Sequence, residues 1–444
     1  MCIRSEAPEV RGRALWFRDD DGALWVGGWA RGNDIAVHPA SAEDVAVLSA
    51  CDGVRALTDV SRHVRIPIEE VTRIIAHWEA RIPGSLRWKV VVDERLAAQT
   101  AVALDMLHES LAVDKLNVGH DNADYHRNRI RDADHQFDEV ETTVSHAYSV
   151  RHPGLGGRAY GEALFDKCRA LGAIRSGMQI LEVGCGTGRL ARSFLDAFAK
   201  RMPEAYANAR YMMFDVAPVL AVSQRELTAP HAERVVFVSG NIETHVFHEQ
   251  FDLVIANEMI ADLSVDAVDK DRPASTSYAR KYNLSSARAL RIFLVNAGAI
   301  RFVEQVASIL HRDGLAIVVE YGSRDGFPVA VELCEHTEYS IHFGHLEEAA
   351  ASLGLRPHCE SLESFLEFDS GCQVIAADSS ALLRGLSSRL FGTQIPKLAY
   401  TRKQLYAAVG RRIEGVQNVQ FLPIGDCGSL MCPREFLALL LSRR

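Results

Sequence analysis

Three glycines alternate in Gly184-Cys185-Gly186-Thr187-Gly188, directly after an apolar run from Met178 to Val183 that carries one acid, Glu182. Glycine at these positions removes the Cβ atoms that would hold a ligand away from the backbone, and it lets a strand turn sharply into a helix. The chemistry this suits is capture of a nucleoside-bearing ligand against bare backbone. The spacing G-x-G-x-G departs from the dinucleotide fingerprint G-x-G-x-x-G. A second strand should then deliver a carboxylate to the ribose hydroxyls, and Ala209 to Val216 places Asp215 at its end. The interval from Gly184 exceeds the usual ~20 residues, and FLDAFAKRMPEAYANA accounts for the excess. Asn241 follows a third strand-like run, Arg234 to Val238, and Asn257-Glu258 closes a fourth, Phe251 to Ala256. Glu258 can pair with a cationic or neutral acceptor, helped by Asp262 four residues on, or it can cap the helix that follows.

The elements that must position these groups alternate strand and helix. A helix is expected from Ala289 to Leu310, then a turn at Asp313-Gly314 and a strand from Leu315 to Glu320. Such a series builds a doubly wound α/β sheet with its ligand at the carboxyl ends of the strands.

The glycine motif resembles the first motif of class I S-adenosylmethionine (SAM)-dependent methyltransferases. The resemblance implies a Rossmann-like seven-stranded sheet, SAM as cofactor and S-adenosylhomocysteine as product. It implies cofactor contacts from Glu182, Gly184, Cys185, Gly186, Gly188, Asp215, Val216, Asn241, Ile242 and Asn257, with Asn241 near the adenine. Methyl transfer from a sulfonium is an in-line displacement, so orientation and desolvation supply most of the acceleration. Glu258 is the leading catalytic candidate, with Tyr125 and His126 from the preceding helical segment; His135, His146 and His342 are further candidate bases among the 17 histidines.

ANEMIADLSV, VEYGS and HTEYSIHFGHLEEAAASLGL are similar to segments of the mitochondrial complex I assembly-factor methyltransferases. Glu320, Ser264 and the run Ser340-Ile341-His342 depart from that family's pattern. This resemblance spans roughly residues 178 to 378 and implies transfer to a protein arginine.

Upstream, strand-like runs at Ala14–Phe17, Ala23–Val26 and Asp34–His38 precede three helices, opened by Ser41 as an N-cap and continuing over Leu57–Val64 and Ile68–Arg81. That order is winged-helix-like. The segment around Cys51-Asp52-Gly53 resembles the pyrroloquinoline-quinone peptide chaperones and related leader-recognition domains. The resemblance implies that a leader peptide adds as a strand to the sheet edge, and hence that the substrate is a ribosomally synthesised precursor peptide. A module that only packs or dimerises stays open, as do small-molecule N- or O-methylation and an assembly factor without turnover.

The domains expected are a peptide-recognition module over 1–92, a helical cap or linker over 93–165, a catalytic domain over 166–380 and an α/β extension over 381–444 ending in an apolar helix. Val265 to Tyr282 is polar enough for a substrate loop. The extension packs on the catalytic domain or on a second subunit, which leaves a homodimer open.

Composition sets the outer limits. With 49 basic against 58 acidic residues, the chain has no field to attract nucleic acid. Arg55, Arg62, Arg65 and Arg73 are balanced by Asp52, Asp59, Glu69 and Glu70, against DNA binding by the N-terminal module. Nine scattered cysteines read as reduced core residues, and Cys427 and Cys432 have no further ligands nearby, so no metal is expected. No apolar run spans a membrane and MCIRSEAPEVRGR has no secretory character, so a cytoplasmic location is expected.

Overall fold

The computed structural model describes residues 7–10, 14–18, 22–29, 35–53, 55–83, 86–89, 122–133, 135–274, 277–333, 335–391, 394–409 and 416–443. The helical reading of 93–121 lies outside these residues. The chain forms two compact units, one from residues 1–106 and 371–430 and the other from 107–370 and 431–444. This partition differs from the linear one drawn from sequence. Residues 371–430 belong with the N-terminal segment, and the chain's last strand belongs to the larger unit.

In the first unit β1 (Ala14–Arg18), β2 (Leu24–Trp29) and β3 (Ile35–Ala40) form an antiparallel sheet in chain order. Three helices follow, α1 (Ala42–Ala50), α2 (Leu57–Val64) and α3 (Ile68–Arg81). Ser41 caps α1 reciprocally. Its Oγ accepts from the Asp44 amide at 3.0 Å, and its own amide donates to Asp44 at 2.8 Å. Val71, Ile74, Ile75 and Trp78 form the buried stripe of α3, at the spacing an amphipathic helix requires. Arg55, Arg62 and Arg73 pair with Asp52, Asp59 and Glu70, each three residues away, which consumes the basic charge locally. From the C-terminal segment, the Gln417 amide donates to the Trp16 carbonyl at 2.8 Å, and its side chain accepts from the Trp16 indole at 3.0 Å.

The second unit is built on one large sheet. Its strands are β4 (Gln179–Val183), β5 (Arg210–Asp215), β6 (Val235–Ser239), β7 (Phe251–Asn257), β8 (Leu310–Ser323), β9 (Leu355–Ser361) and β10 (Phe436–Arg443). They lie in the order β9-β10-β8-β7-β4-β5-β6, with the short run Ile341–His342 added beside β8. β4 to β8 run parallel to one another, and β10 is antiparallel to both β8 and β9. From β4 the chain fills one side of the sheet, then crosses back to β7 on the other. That reversal between β4 and β7 is where an open α/β sheet opens a crevice. β7 is buried at all seven positions, as expected of a central parallel strand covered on both faces.

Two sequence expectations are corrected. The expected helix from Ala289 begins only at Ala297; before it, Ile292–Val295 pairs as a strand with Asp266–Asp269. The run Ile-Phe-Leu-Val favours a pleated surface, and Asn296 separates it from the true helix. The expected C-terminal apolar helix is instead β10, inserted between two strands. Eight apolar-rich residues do not distinguish a buried strand from a helix, and burial between β8 and β9 overrides leucine's helical preference.

Among the described residues, no helix is long and apolar enough to cross a membrane.

Candidate functional site

The turn after β4 has the left-handed backbone that its glycines permit, with φ of 69° at Gly184, 50° at Gly186 and 88° at Gly188. A Cβ at Gly184 would lie 2.6 Å from Met259 Cβ, and one at Gly186 would lie 2.8 Å from Phe137 Cζ. The turn leads into the helix α5 (Arg189–Arg201), which Gly188 caps with no side-chain hydrogen bond. α5 holds its place through Leu190, Phe194 and Phe198; burying each such side chain contributes about 2 kcal/mol.

Asp215, at the end of β5, accepts from the Gly186 and Ala217 amides, both at 2.9 Å. Burial raises its pKa, and these two amides act in the opposite direction. Behind the turn Glu182 is buried and accepts from Tyr211 Oη at 2.8 Å. Burial, opposed by the Tyr211 bond and reinforced by Asp215, pushes Glu182 up to about 8. After β6, Asn241 Oδ1 accepts from the Glu243 amide at 2.9 Å, and the Ile242 carbonyl accepts from Gln305 at 2.8 Å.

At the end of β7, Asn257 Oδ1 accepts from the buried Tyr160 hydroxyl at 2.6 Å, and its amide donates to Glu258 at 2.8 Å. Glu258 has φ of 54°. Its carboxylate accepts from the Val144 amide at 2.8 Å and the Ser145 amide at 3.3 Å. It therefore ties residues 144–145 to the strand end, rather than capping the segment that follows it. Burial pushes its pKa up to about 8, against these three hydrogen bonds.

One cavity collects His126, Glu182, Gly184, Cys185, Gly186, Asp215, Val216, Asn241, Ile242, Asn257 and Glu258 on its lining. Gly188 and Tyr125 lie outside that lining. A Cβ at Gly188 would meet Gln224 Cα at 3.2 Å, so this glycine serves the turn itself. Tyr125 is buried, donates to Gln136 at 3.2 Å and stacks on the His336 ring at 4.3 Å. Of the other histidines, His146 stacks on Phe137 and lies 3.5 Å from Asp138, while His342 stacks on His345 at 3.6 Å. The side chain of His135 lies outside the described residues.

Sequence reasoning passed over Tyr160, Glu141, His336 and Glu338. The last three meet Asp262 and His126 at the edge of the cavity. His126 Nε2 lies 3.0 Å from Asp262, and His336 Nε2 lies 3.2 Å from Glu141 and 3.5 Å from both Asp262 and Glu338. Burial opposes charge on both rings, yet the adjacent acids raise His126 to about 9 and His336 to about 10. His126 and Asp262 carry a sequence signal of their own, whereas Glu141, His336 and Glu338 join them only through the fold.

Residues 159–275 match the model of a family described as "putative S-adenosyl-L-methionine-dependent methyltransferase". No curated protein matches the chain. Among solved structures, it is similar to a "likely methyl transferase" from Burkholderia thailandensis bound to S-adenosyl-homocysteine, at 19% identity over 80% of this chain and 95% of that one, with a TM-score of 0.43. A 1,6-didemethyltoxoflavin-N1-methyltransferase from the same organism matches at 17% identity over 45% and 67%, with a TM-score of 0.28. The glycopeptide N-methyltransferase MtfA matches at 10% identity over 64% and 94%, with a TM-score of 0.31. The matched segment 159–275 contains β4 to β7 and the turns that carry Gly184, Asp215, Asn241 and Asn257. The chain is a SAM-dependent methyltransferase, and SAM is its cofactor.

Proposed function

We propose that the enzyme methylates a side-chain nitrogen of a peptide or protein, with the arginine guanidine the foremost acceptor. The observation that carries this reading is the charge of the cavity wall. Glu141, Glu182, Asp215, Glu243, Glu258 and Asp262 line it against a single guanidinium, Arg189. Even with Glu182 and Glu258 protonated, four carboxylates outnumber the two cations, Arg189 and a protonated His126, so a carboxylate or phosphate acceptor is repelled, whereas an amine or guanidine is drawn in. The bare turn at Gly184 and Gly186 fits a cofactor pressed against backbone, and Asp215, Asn241 and Asn257 offer polar groups to its ribose, base and amino acid portions. When bound, SAM supplies an electrophilic methyl group. Glu258, raised to about 8, is suited in its ionised form to accept the proton that a guanidinium must lose.

The peptide is held, in this reading, by the first unit. The strand order β1-β2-β3 followed by three helices supports a winged-helix-like recognition module, with β3 as the edge to which a leader adds. The precursor is then a ribosomally made peptide. The test is transfer of label from SAM to arginine-containing peptides with and without their leaders, alongside small-molecule amines. Label on an arginine nitrogen, dependent on the leader in cis, supports the reading. Equal transfer without a leader sinks the recognition role, and labelling of small molecules alone sinks the peptide acceptor.

A further inference from the structure

Beside the cavity, five side chains from four separate stretches form two triads that share His336: His126 from α4 (Asn122–Asn128) and Asp262 after β7 on one side, Glu141 and Glu338 on the other, with His336 and Glu338 supplied by the hairpin at Ala330–Tyr339. Their side chains are no more than 18% exposed, and that of His336 is 2% exposed. Among the described residues, no Lys or Arg forms an ion pair with Glu141, Asp262 or Glu338. Three carboxylates are thus gathered around two imidazoles, and even with both rings protonated the group is formally one negative charge in excess, which a bound cation would offset.

The approaches within the group lie at ion-pair distance. His336 Nε2 stands 3.2 to 3.5 Å from an oxygen of each carboxylate. Even so, neither this atom nor His126 Nε2 nor Glu141 Oε2 has a hydrogen bond of acceptable geometry. Those separations match the edges of a coordination polyhedron. Metal–ligand bonds of about 2.1 Å place adjacent ligand atoms about 3.0 Å apart in an octahedron and about 3.4 Å apart in a tetrahedron. The neighbours brace the group as outer-shell partners do. Asn122 donates to Asp262 at 3.3 Å, Gln136 donates to Glu141, and Tyr125 fixes the His336 ring by stacking.

We propose that His126, Asp262 and His336 bind a divalent first-row transition-metal ion at the edge of the methyl-transfer cavity, with Glu141 and Glu338 flanking His336. Two imidazole nitrogens with carboxylate oxygens suit Zn²⁺, Mn²⁺ or Fe²⁺ better than Mg²⁺ or Ca²⁺, which take all-oxygen sites. The ion joins α4 to the end of β7 and to the hairpin, on the side of the cavity that His126 and Asp262 line. The site stands whether or not the acceptor is arginine.

The test is metal content and metal affinity of the full chain. The purified protein is expected to carry about one transition-metal ion per chain by mass spectrometry; after chelation it takes up ZnCl2 or MnCl2 in calorimetry with a rise in melting temperature. His336→Gln and Glu338→Gln, neither of which lines the cavity, are expected to weaken uptake by about 100-fold and about 10-fold respectively. Binding of S-adenosylhomocysteine by each variant confirms that it is folded, and the second variant serves if the first does not fold. A metal-free protein that takes up none of Zn²⁺, Mn²⁺ and Fe²⁺ overturns the proposal, as does uptake by both folded variants equal to that of the parent.

Discussion

Replacing Glu182 by Gln tests the claim that a carboxyl group is stored in its neutral form behind the glycine turn. The group is buried, bonded to Tyr211 and close to Asp215, and its pKa stands at about 8 against an ordinary value of 4.5. The folded state therefore holds the proton more tightly than the unfolded chain does. The stability this confers is complete below about pH 4.5 and is lost as pH rises through about 8. A difference of about 3.5 units at about 1.4 kcal/mol each sets a ceiling near 5 kcal/mol. The Tyr211 bond is retained on ionisation and water can relax the site, so about 2 kcal/mol is the expected loss. Glu182→Gln keeps the shape and an acceptor for Tyr211 but cannot ionise. Urea unfolding followed by circular dichroism should show the variant level with or slightly below the parent at pH 5, and about 2 kcal/mol above it at pH 9. Glu258 titrates in the same direction but is present in both proteins, so the difference isolates Glu182. Parallel stability curves from pH 5 to pH 9 would refute the reasoning.

Gly186→Ala places a Cβ against Phe137 at a φ of 50°; the strain of about 1–2 kcal/mol should weaken SAM binding by about 10-fold in calorimetry, and an unchanged affinity would remove the close-approach argument. Tyr160→Phe leaves the buried Asn257 carbonyl without its donor and should cost about 1–2 kcal/mol in urea unfolding. Ser41→Ala removes one half of the α1 cap and should cost about 1 kcal/mol. All five tryptophans fall between residues 16 and 88, so the Ser41 effect is best read by tryptophan fluorescence.

The parts of the fold that were legible have strictly local causes. Ser41 and Asp44 announce a helix start three residues apart, and both halves of that cap form. The apolar run before Gly184, the end of β5 at Asp215 and the fully buried β7 before Asn257 each combine a period with a terminating residue, and the structure places all three strand ends on one cavity. Misreadings arose where a short apolar stretch lacked such a terminator. Ile292–Val295 merged into the helix after Asn296, and Phe436–Arg443 could be placed only by knowing that β8 and β9 leave a slot between them.

The chemistry at Glu258 was legible as a residue type but not as an arrangement, because its partners lie 113 and 114 positions away in backbone amides that carry no sequence signature. A left-handed conformation at a non-glycine residue costs about 1 kcal/mol or more. Here it places the Glu258 carboxylate on the amides of residues 144 and 145 while its own amide bonds to the Val319 carbonyl of β8 at 2.8 Å. In the proposed reaction, the side chain that receives a proton from the acceptor is thus the one that holds residues 144–145 at the strand end. Protonation weakens its acceptance from those two amides, because a neutral carboxyl is a poorer acceptor than a carboxylate. If the proposed reaction delivers its proton to Glu258, that transfer and a weakening of the hold on residues 144–145 are therefore coupled by the geometry.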